Sequence, residues 1–194
     1  MKKVSLVVLL LLLLTVFLTA CSQQENQVLE KDVLRIGMEL KYPPFESKDE
    51  KGRPVGASVD LAKGLGQYLG KEIEIVDTPY PSLIPALISG EIDLIISSMT
   101  ITEARTEKVD FSDPYTTSQL MLLVHQDSQV ESDQDLNNED VTIVSKTGTI
   151  GALWAQANAP RANIKNVEEE STAVQSFNDL LILSIIIVIH CFEI

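Results

Sequence analysis

From residue 33 the spacing of apolar positions changes from segment to segment. Val33 to Met38 (VLRIGM) is a short apolar run and reads as a strand. Turn residues follow, in Tyr42-Pro43-Pro44-Phe45 and again from Asp49 to Pro54. After Ser58 the spacing becomes helical. Leu61, Leu65, Tyr68 and Leu69 predict a helix over 59–69, capped by Ser58, stopped at Gly70 and buried along that stripe. Ile73 and Ile75 alternate with Glu72 and Glu74, the period of a half-buried strand. A second helix runs from Pro81-Ser82 to Ser89, with Leu83, Ala86 and Leu87 facing inward. Ile92-Asp93-Leu94-Ile95-Ile96 is nearly continuous in apolar residues, as in a parallel sheet covered on both faces. The order β-α-β-α-β predicts an α/β fold with a parallel sheet and right-handed crossovers. Ligands of such sheets sit beyond the carboxyl ends of the strands. That places a site at the residues following Met38 and Ile96.

The two ends of the chain carry a different kind of apolar excess. Met1-Lys2-Lys3 precedes an apolar stretch from Val4 to Leu18, and then Leu18-Thr19-Ala20-Cys21. A basic start, an apolar run and small residues before a cut describe a secretory signal. By length alone a membrane span fits as well. The tetrad ending in Cys21 resembles the lipobox of bacterial lipoproteins. That resemblance implies cleavage after Ala20, lipidation of Cys21, export, and a lipid anchor on the cell membrane, facing the periplasm or cell exterior. Residues 21–32 lack apolar periodicity and read as a flexible tether. At the other end, Leu180 to Ile189 is an uncharged Leu/Ile/Val run, too short for a span and rich in β-formers.

Composition narrows the classes. Apolar residues are 45% and charged residues 22% of the 194, which excludes a wholly disordered chain. Fifteen basic against 28 acidic side chains give a formal charge of −13, so nucleic-acid binding lacks its electrostatic source of affinity. Two cysteines make no disulfide framework. No zinc spacing, phosphate loop or Ser-His-Asp order is present, and Ser145-Lys146-Thr147-Gly148-Thr149 has the wrong glycine–lysine order for a Walker motif.

The segment after Ile96 reads Ser97-Ser98-Met99-Thr100-Ile101-Thr102-Glu103-Ala104-Arg105. Thr100 and Glu103 have capping-box spacing for a helix over 102–109. Hydroxyls, a helix N-terminus and a guanidinium that can take both oxygens together suit a carboxylate. A solvated Arg105 with hydroxyls that merely cap the helix fits the same residues.

A family resemblance then becomes specific. Ser82 to Leu87, Gly90 to Arg105, and Val109-Asp110-Phe111-Ser112-Asp113-Pro114-Tyr115 resemble the bacterial extracellular solute-binding proteins of family 3, the amino-acid receptors of ABC importers. Tyr42 to Phe45 and Thr147-Gly148-Thr149 match in order and spacing, so the resemblance covers about 33–175. It implies a periplasmic-binding-protein-like type II fold, two α/β lobes closing like a clamshell. Lobe one then spans 33–117 and a partial lobe two spans 118–175, with 118–124 as the crossing strand. The lobe-two sheet begins at Val141 to Val144, and a helix covers about 150–157. By the same resemblance Arg105 grips the ligand α-carboxylate, beside Thr100 and Ser98. Thr149 closes from lobe two, Tyr42 and Tyr80 flank the ligand, and Glu39 contacts it in some members; read from its own segment, Glu39 is a surface residue before it is a ligand contact. Ile150 stands where the family often has a second hydroxyl.

The implied function is capture of a small-molecule amino acid for ABC permease subunits, without catalysis or cofactor. Dehydratases and sensor modules share the fold and are the alternatives. After Gln175 the family continues with an acid for the ligand ammonium and a second crossing strand. Residues 176–194 instead form an aberrant apolar tail, which reads as a frameshift near Gln175–Ser176, or as a short variant whose tail is a buried strand; the frameshift reading implies a receptor by descent whose present chain binds weakly or not at all.

Overall fold

The computed structural model describes residues 27–125, 127–176 and 191–192. The signal at 1–20, the lipidation position Cys21 and the apolar run at 180–189 lie outside the described residues. In chain order the elements of the first lobe are α1 (Gln27–Glu30), β1 (Val33–Met38), β2 (Ser47–Lys48), β3 (Pro54–Val55) and α2 (Ala57–Leu69). They continue with β4 (Glu72–Asp77), α3 (Leu83–Ile88), β5 (Leu94–Ile95) and α4 (Glu103–Thr106). Then follow β6 (Ser118–Gln119), β7 (Thr142–Lys146), α5 (Ile150–Asn158), β8 (Asn163–Val167), α6 (Glu170–Ser176) and β9 (Cys191–Phe192). Among the described residues no helix is long and apolar enough to cross a membrane.

The first sheet is parallel, ordered β4-β1-β5. β1 pairs with β4 along its full length, from Val33↔Glu72 to Met38↔Asp77, and with β5 at Ile36↔Leu94 and Gly37↔Ile95. One face of this sheet packs Ile36, Met38 and Ile96 with Val59 and Ala62 of α2. The other face meets Leu83 and Ala86 of α3 with Ile92. The predicted helix and strand order is therefore present, with a helix on each face.

Four local expectations change. The inner stripe of α2 is Ser58, Val59, Ala62 and Gly66, whereas Leu61 and Tyr68 are exposed. Small residues win this face because the helix lies tight on β4. A Cβ on Gly66 would stand 2.4 Å from Ile73 Cγ1. The N-cap of α2 is Gly56 rather than Ser58, while Gly70 stops the helix in the left-handed region as predicted. The helix expected over 102–109 is the single turn α4. Its N-cap is Thr102, without a side-chain cap, so the Thr100–Glu103 capping box does not form. The tether also contains the turn of helix α1, tied down at Lys31, whose Nζ donates to Asp93 at 2.5 Å.

The second lobe is built on β7 and β8, parallel in register from Thr142↔Asn163 to Lys146↔Val167. Leu136, Val141, Ile143, Ala155 and Ala159 form its core, with Leu122, Trp154 and Ile164 packed around them. Of the strand expected over 118–124, only Ser118–Gln119 enters a ladder. Its antiparallel partner is β9, with Ser118↔Phe192 and Gln119↔Cys191. The far end of the tail thus lies beside the connection between the lobes.

Candidate functional site

The order β4-β1-β5 puts the start of the sheet at its centre. The chain leaves β1 for one side and returns from β4 to the other, so the loops after β1 and β5 diverge at the carboxyl edge and leave a crevice. The loop 39–46 and the segment 97–102 form that crevice. The second lobe faces it with the carboxyl end of β7 and the N-terminus of α5.

Arg105 bridges the two lobes. Its side chain is buried, and it donates from Nη1 to the Thr100 carbonyl at 2.6 Å and from Nη2 to the Gly148 carbonyl at 3.0 Å. Gly148 has φ +78°, a conformation that favours glycine, and it lies against Pro81 of the first lobe. The Arg105 guanidinium carbon sits 5.8 Å from the Tyr80 ring centre, within cation–π range. Among the described residues no carboxylate lies within ion-pairing distance of Arg105. A buried guanidinium held by two neutral carbonyls and the Tyr80 side chain lacks a compensating negative charge, and a carboxylate is the group that would supply one.

Lys146 lies beside it at the end of β7. Its ammonium pairs with Glu39 from the first lobe and with Glu170 of α6 at 2.9 Å. It also stands 5.6 Å from the centre of the Tyr80 ring. Burial pulls the Lys146 pKa down, but the hydrogen bonds and charges of Glu39 and Glu170 outweigh it and hold the pKa above the ordinary lysine value. Burial likewise raises the Tyr80 phenol, against the opposing charges of Arg105 and Lys146. At the rim Lys41 pairs with Glu169 at 2.7 Å, a further inter-lobe contact.

Arg105, Thr100, Tyr80, Glu39 and Thr149 are therefore gathered at one place, with three differences from the sequence reading. Glu39 is buried at 5% exposure, contrary to its reading as a surface residue, because it faces Lys146 across the lobes. Thr100 meets Arg105 through its carbonyl. The Thr149 hydroxyl serves its own helix, donating to the Lys146 carbonyl at 2.8 Å and accepting from Ala152 N at 3.4 Å. Ser98 and Tyr42 are joined to each other through Glu46. The Ser98 hydroxyl donates to Glu46 Oε2 at 3.1 Å, and Tyr42 forms an isolated backbone bridge with Glu46. The Tyr42 ring stacks on Phe45.

Sequence reasoning passed over Lys146, Glu170 and Glu46. Lys146 had a usable signal, since it is a cation at the carboxyl end of a buried strand, where ligands sit. Glu46 and Glu170 gave none, because their partners are 52 and 24 residues away in the chain. Among the described residues no group of three or more His, Cys, Asp or Glu is placed to hold a metal ion.

Residues 34–181 match the family model of the bacterial extracellular solute-binding proteins, family 3. The L-cystine-binding protein TcyJ of Escherichia coli (strain K12) is 30% identical over 152 residues, which is 77% of this chain and 56% of that protein. The arginine-binding extracellular protein ArtP of Bacillus subtilis (strain 168) is 41% identical over 131 residues, 67% of this chain and 51% of that protein. The chain thus spans about half the length of these relatives. Among solved structures, the ancestral amino acid-binding protein AncCDT-1, a precursor of cyclohexadienyl dehydratase, aligns with a TM-score of 0.77 at 36% identity. The alignment covers 85% of this chain and 73% of that one. A binding component of an ABC transporter from Wolinella succinogenes, complexed with lysine, aligns at 0.73 and 35% identity over 80% and 68% of the two chains. The fold is the type II periplasmic-binding-protein clamshell, and the chain belongs to the bacterial extracellular solute-binding proteins of family 3.

Proposed function

We propose that this chain is the receptor component of an amino-acid ABC importer, taking its ligand between the lobes with the α-carboxylate on Arg105. The observation that carries this reading is the buried Arg105, which reaches both lobes and has no carboxylate partner among the described residues. A ligand carboxylate replaces its two neutral acceptors with charged ones. Tyr80 supplies an aromatic wall, and Glu39 reaches a ligand ammonium only by exchanging it for Lys146, which holds its carboxylate. Ser98 and Tyr42 enter through the neighbouring loops, and Thr149 orders the N-terminus of α5 that faces the ligand. The role is capture and delivery to permease subunits rather than turnover. The mature chain is held at the membrane by lipid on Cys21.

A charge-assisted hydrogen bond contributes about 1.5–3 kcal/mol, so two from Arg105 give roughly 3–6 of the about 8 kcal/mol that micromolar affinity requires. Calorimetry with L-arginine, L-lysine, L-histidine, L-glutamine and L-cystine tests the site. Arg105→Ala should weaken binding at least about a hundredfold, and unchanged affinity refutes the assignment. Incubation with a prephenate-type cyclic acid separates a receptor, which leaves it intact, from a dehydratase. Palmitate labelling that persists in Cys21→Ala refutes the anchor.

A further inference from the structure

We propose that Glu46 is a positioning residue for the carboxylate-receiving turn at 97–100, acting through Ser98. The inference rests on the reading that this turn and Arg105 receive a ligand carboxylate. Ser98 is the one non-glycine residue with a positive φ among the described residues, at 49°. Left-handed backbone is unfavourable for serine and persists where the surroundings over-determine it, commonly at ligand clamps. Here the surroundings are explicit. Glu46 is 1% exposed, and its Oε2 accepts from Ser98 Oγ at 3.1 Å and from Ser58 Oγ at 2.5 Å. Its backbone is fixed in turn, since Tyr42 N donates to the Glu46 carbonyl at 2.7 Å and Glu46 N donates to the Tyr42 carbonyl at 3.0 Å.

The turn is tied at three successive points. Ser97 Oγ accepts from Glu39 N at 2.9 Å, Ser98 is held by Glu46, and the Thr100 carbonyl is held by Arg105. Only the middle tie opposes an unfavourable backbone conformation. A residue in left-handed geometry redirects the following N–H groups, the arrangement that forms anion-binding concavities in loops. Glu46 therefore sets the direction of donors it does not itself carry.

The groups that face Glu46 are Ser58 of α2, Ser98, Tyr115, Glu39 after β1 and Lys146 of β7. Burial pushes the Glu46 carboxyl up to about 7. The Ser58 and Ser98 hydroxyls and Lys146 pull against that rise, and Glu39 adds to it. Near neutrality the group thus changes between a neutral and an ionised acceptor. The ionised form adds a negative charge beside Glu39, close to where a ligand carboxylate would lie. Affinity should therefore fall as pH rises through 7.

The test uses the full chain, with the amino acid that gives the largest heat among the five named above. Between pH 6 and pH 8 the wild type should lose several-fold in affinity. Glu46→Gln, which keeps the shape and the acceptor without the charge, should bind with a flat profile. Glu46→Leu should weaken binding about tenfold at pH 6, but by less than twofold in a Ser98→Gly background, where glycine takes the positive φ unaided. Independently of any ligand, amide hydrogen exchange over 97–100 should quicken in Glu46→Leu and not in Glu46→Gln. A wild-type pH profile in Glu46→Gln, or unchanged exchange over 97–100 in a folded Glu46→Leu, overturns the proposal. If Arg105→Ala binds normally, the site reading itself has failed. If Arg105→Ala is inactive while the Glu46 variants behave as wild type, only the positioning role has failed.

Discussion

Lys146→Met removes one cation from a cluster of two acids. In the native chain the Lys146 side chain is 4% exposed, Glu39 is 6% exposed and Glu170 is 27% exposed. Methionine fills most of the lysine volume, so cavity formation contributes little and the charge change dominates. It leaves Glu39 buried without its cation, with the Tyr80 amide at 3.4 Å as a weak remaining donor. Breaking a buried pair by removing one partner costs about 3–5 kcal/mol, because the other charge stays desolvated. For a chain of this size that corresponds to a fall in Tm of roughly 6–20 °C. The second half of the cycle is Lys146→Met with Glu39→Gln. It removes the stranded charge and should recover more than half of the loss. Thermal melts of the four species at two ionic strengths provide the assay. The buried pair should be nearly indifferent to salt, whereas a Lys41→Ala melt should reflect only an exposed pair that salt screens. A Lys146→Met loss under about 1 kcal/mol, or a double variant no more stable than the single one, refutes the account of a desolvated inter-lobe ion cluster.

Other expectations can be checked in the same melts. Glu46 ordinarily titrates at 4.5 and is held at about 7 in the fold, so its contribution is fully present below pH 4.5 and is lost as pH rises to about 7. The loss is about 3 kcal/mol, and Glu46→Gln should flatten that slope. Asp93 behaves in the opposite way. Burial raises it, but hydrogen bonds from Lys31 and Arg35 more than compensate, and its pKa lies below the ordinary 3.8. Its contribution is present above pH 3.8 and disappears as pH falls through the lowered value. Asp93→Ala should cost about 1.5–3 kcal/mol in a neutral-pH melt. Gly66→Ala should destabilise by about 1–3 kcal/mol, since its Cβ would meet Ile73 at 2.4 Å. Gly64→Ala on the same helix meets nothing within 4 Å and should stabilise by about 0.5–1 kcal/mol. Equal effects from the two glycines would contradict the packing of α2.

Periodicity and punctuation were enough for the first sheet. VLRIGM reads as a strand and becomes β1, the Glu/Ile alternation becomes β4, and Gly70 stops α2 in the left-handed region. These are local properties, set by residues a few positions apart. The inner face of α2 was misread because size decided it. Leu61 and Tyr68 have the right spacing, but only Ala62 and Gly66 let the helix approach Ile73. The capping box at Thr100 failed for a related reason. The Thr100 carbonyl is held by Arg105, and the helix takes its N-cap two residues later, at Thr102.

The site divides in the same way. Arg105 and Thr100 were singled out because they lie in the segment after Ile96, where the topology of a parallel sheet places ligands, whereas Tyr80 came only from the family resemblance. The sequence determined that such segments exist and which side chains they carry. Only the tertiary structure decided what those side chains face. Glu39 was ambiguous until Lys146, 107 residues away, met it across the lobes. Glu46 was one more polar residue of a turn until Ser58 and Ser98 converged on its carboxyl. Burial and long-range pairing set the charge state and orientation of a group, and both depend on distances that no local pattern encodes.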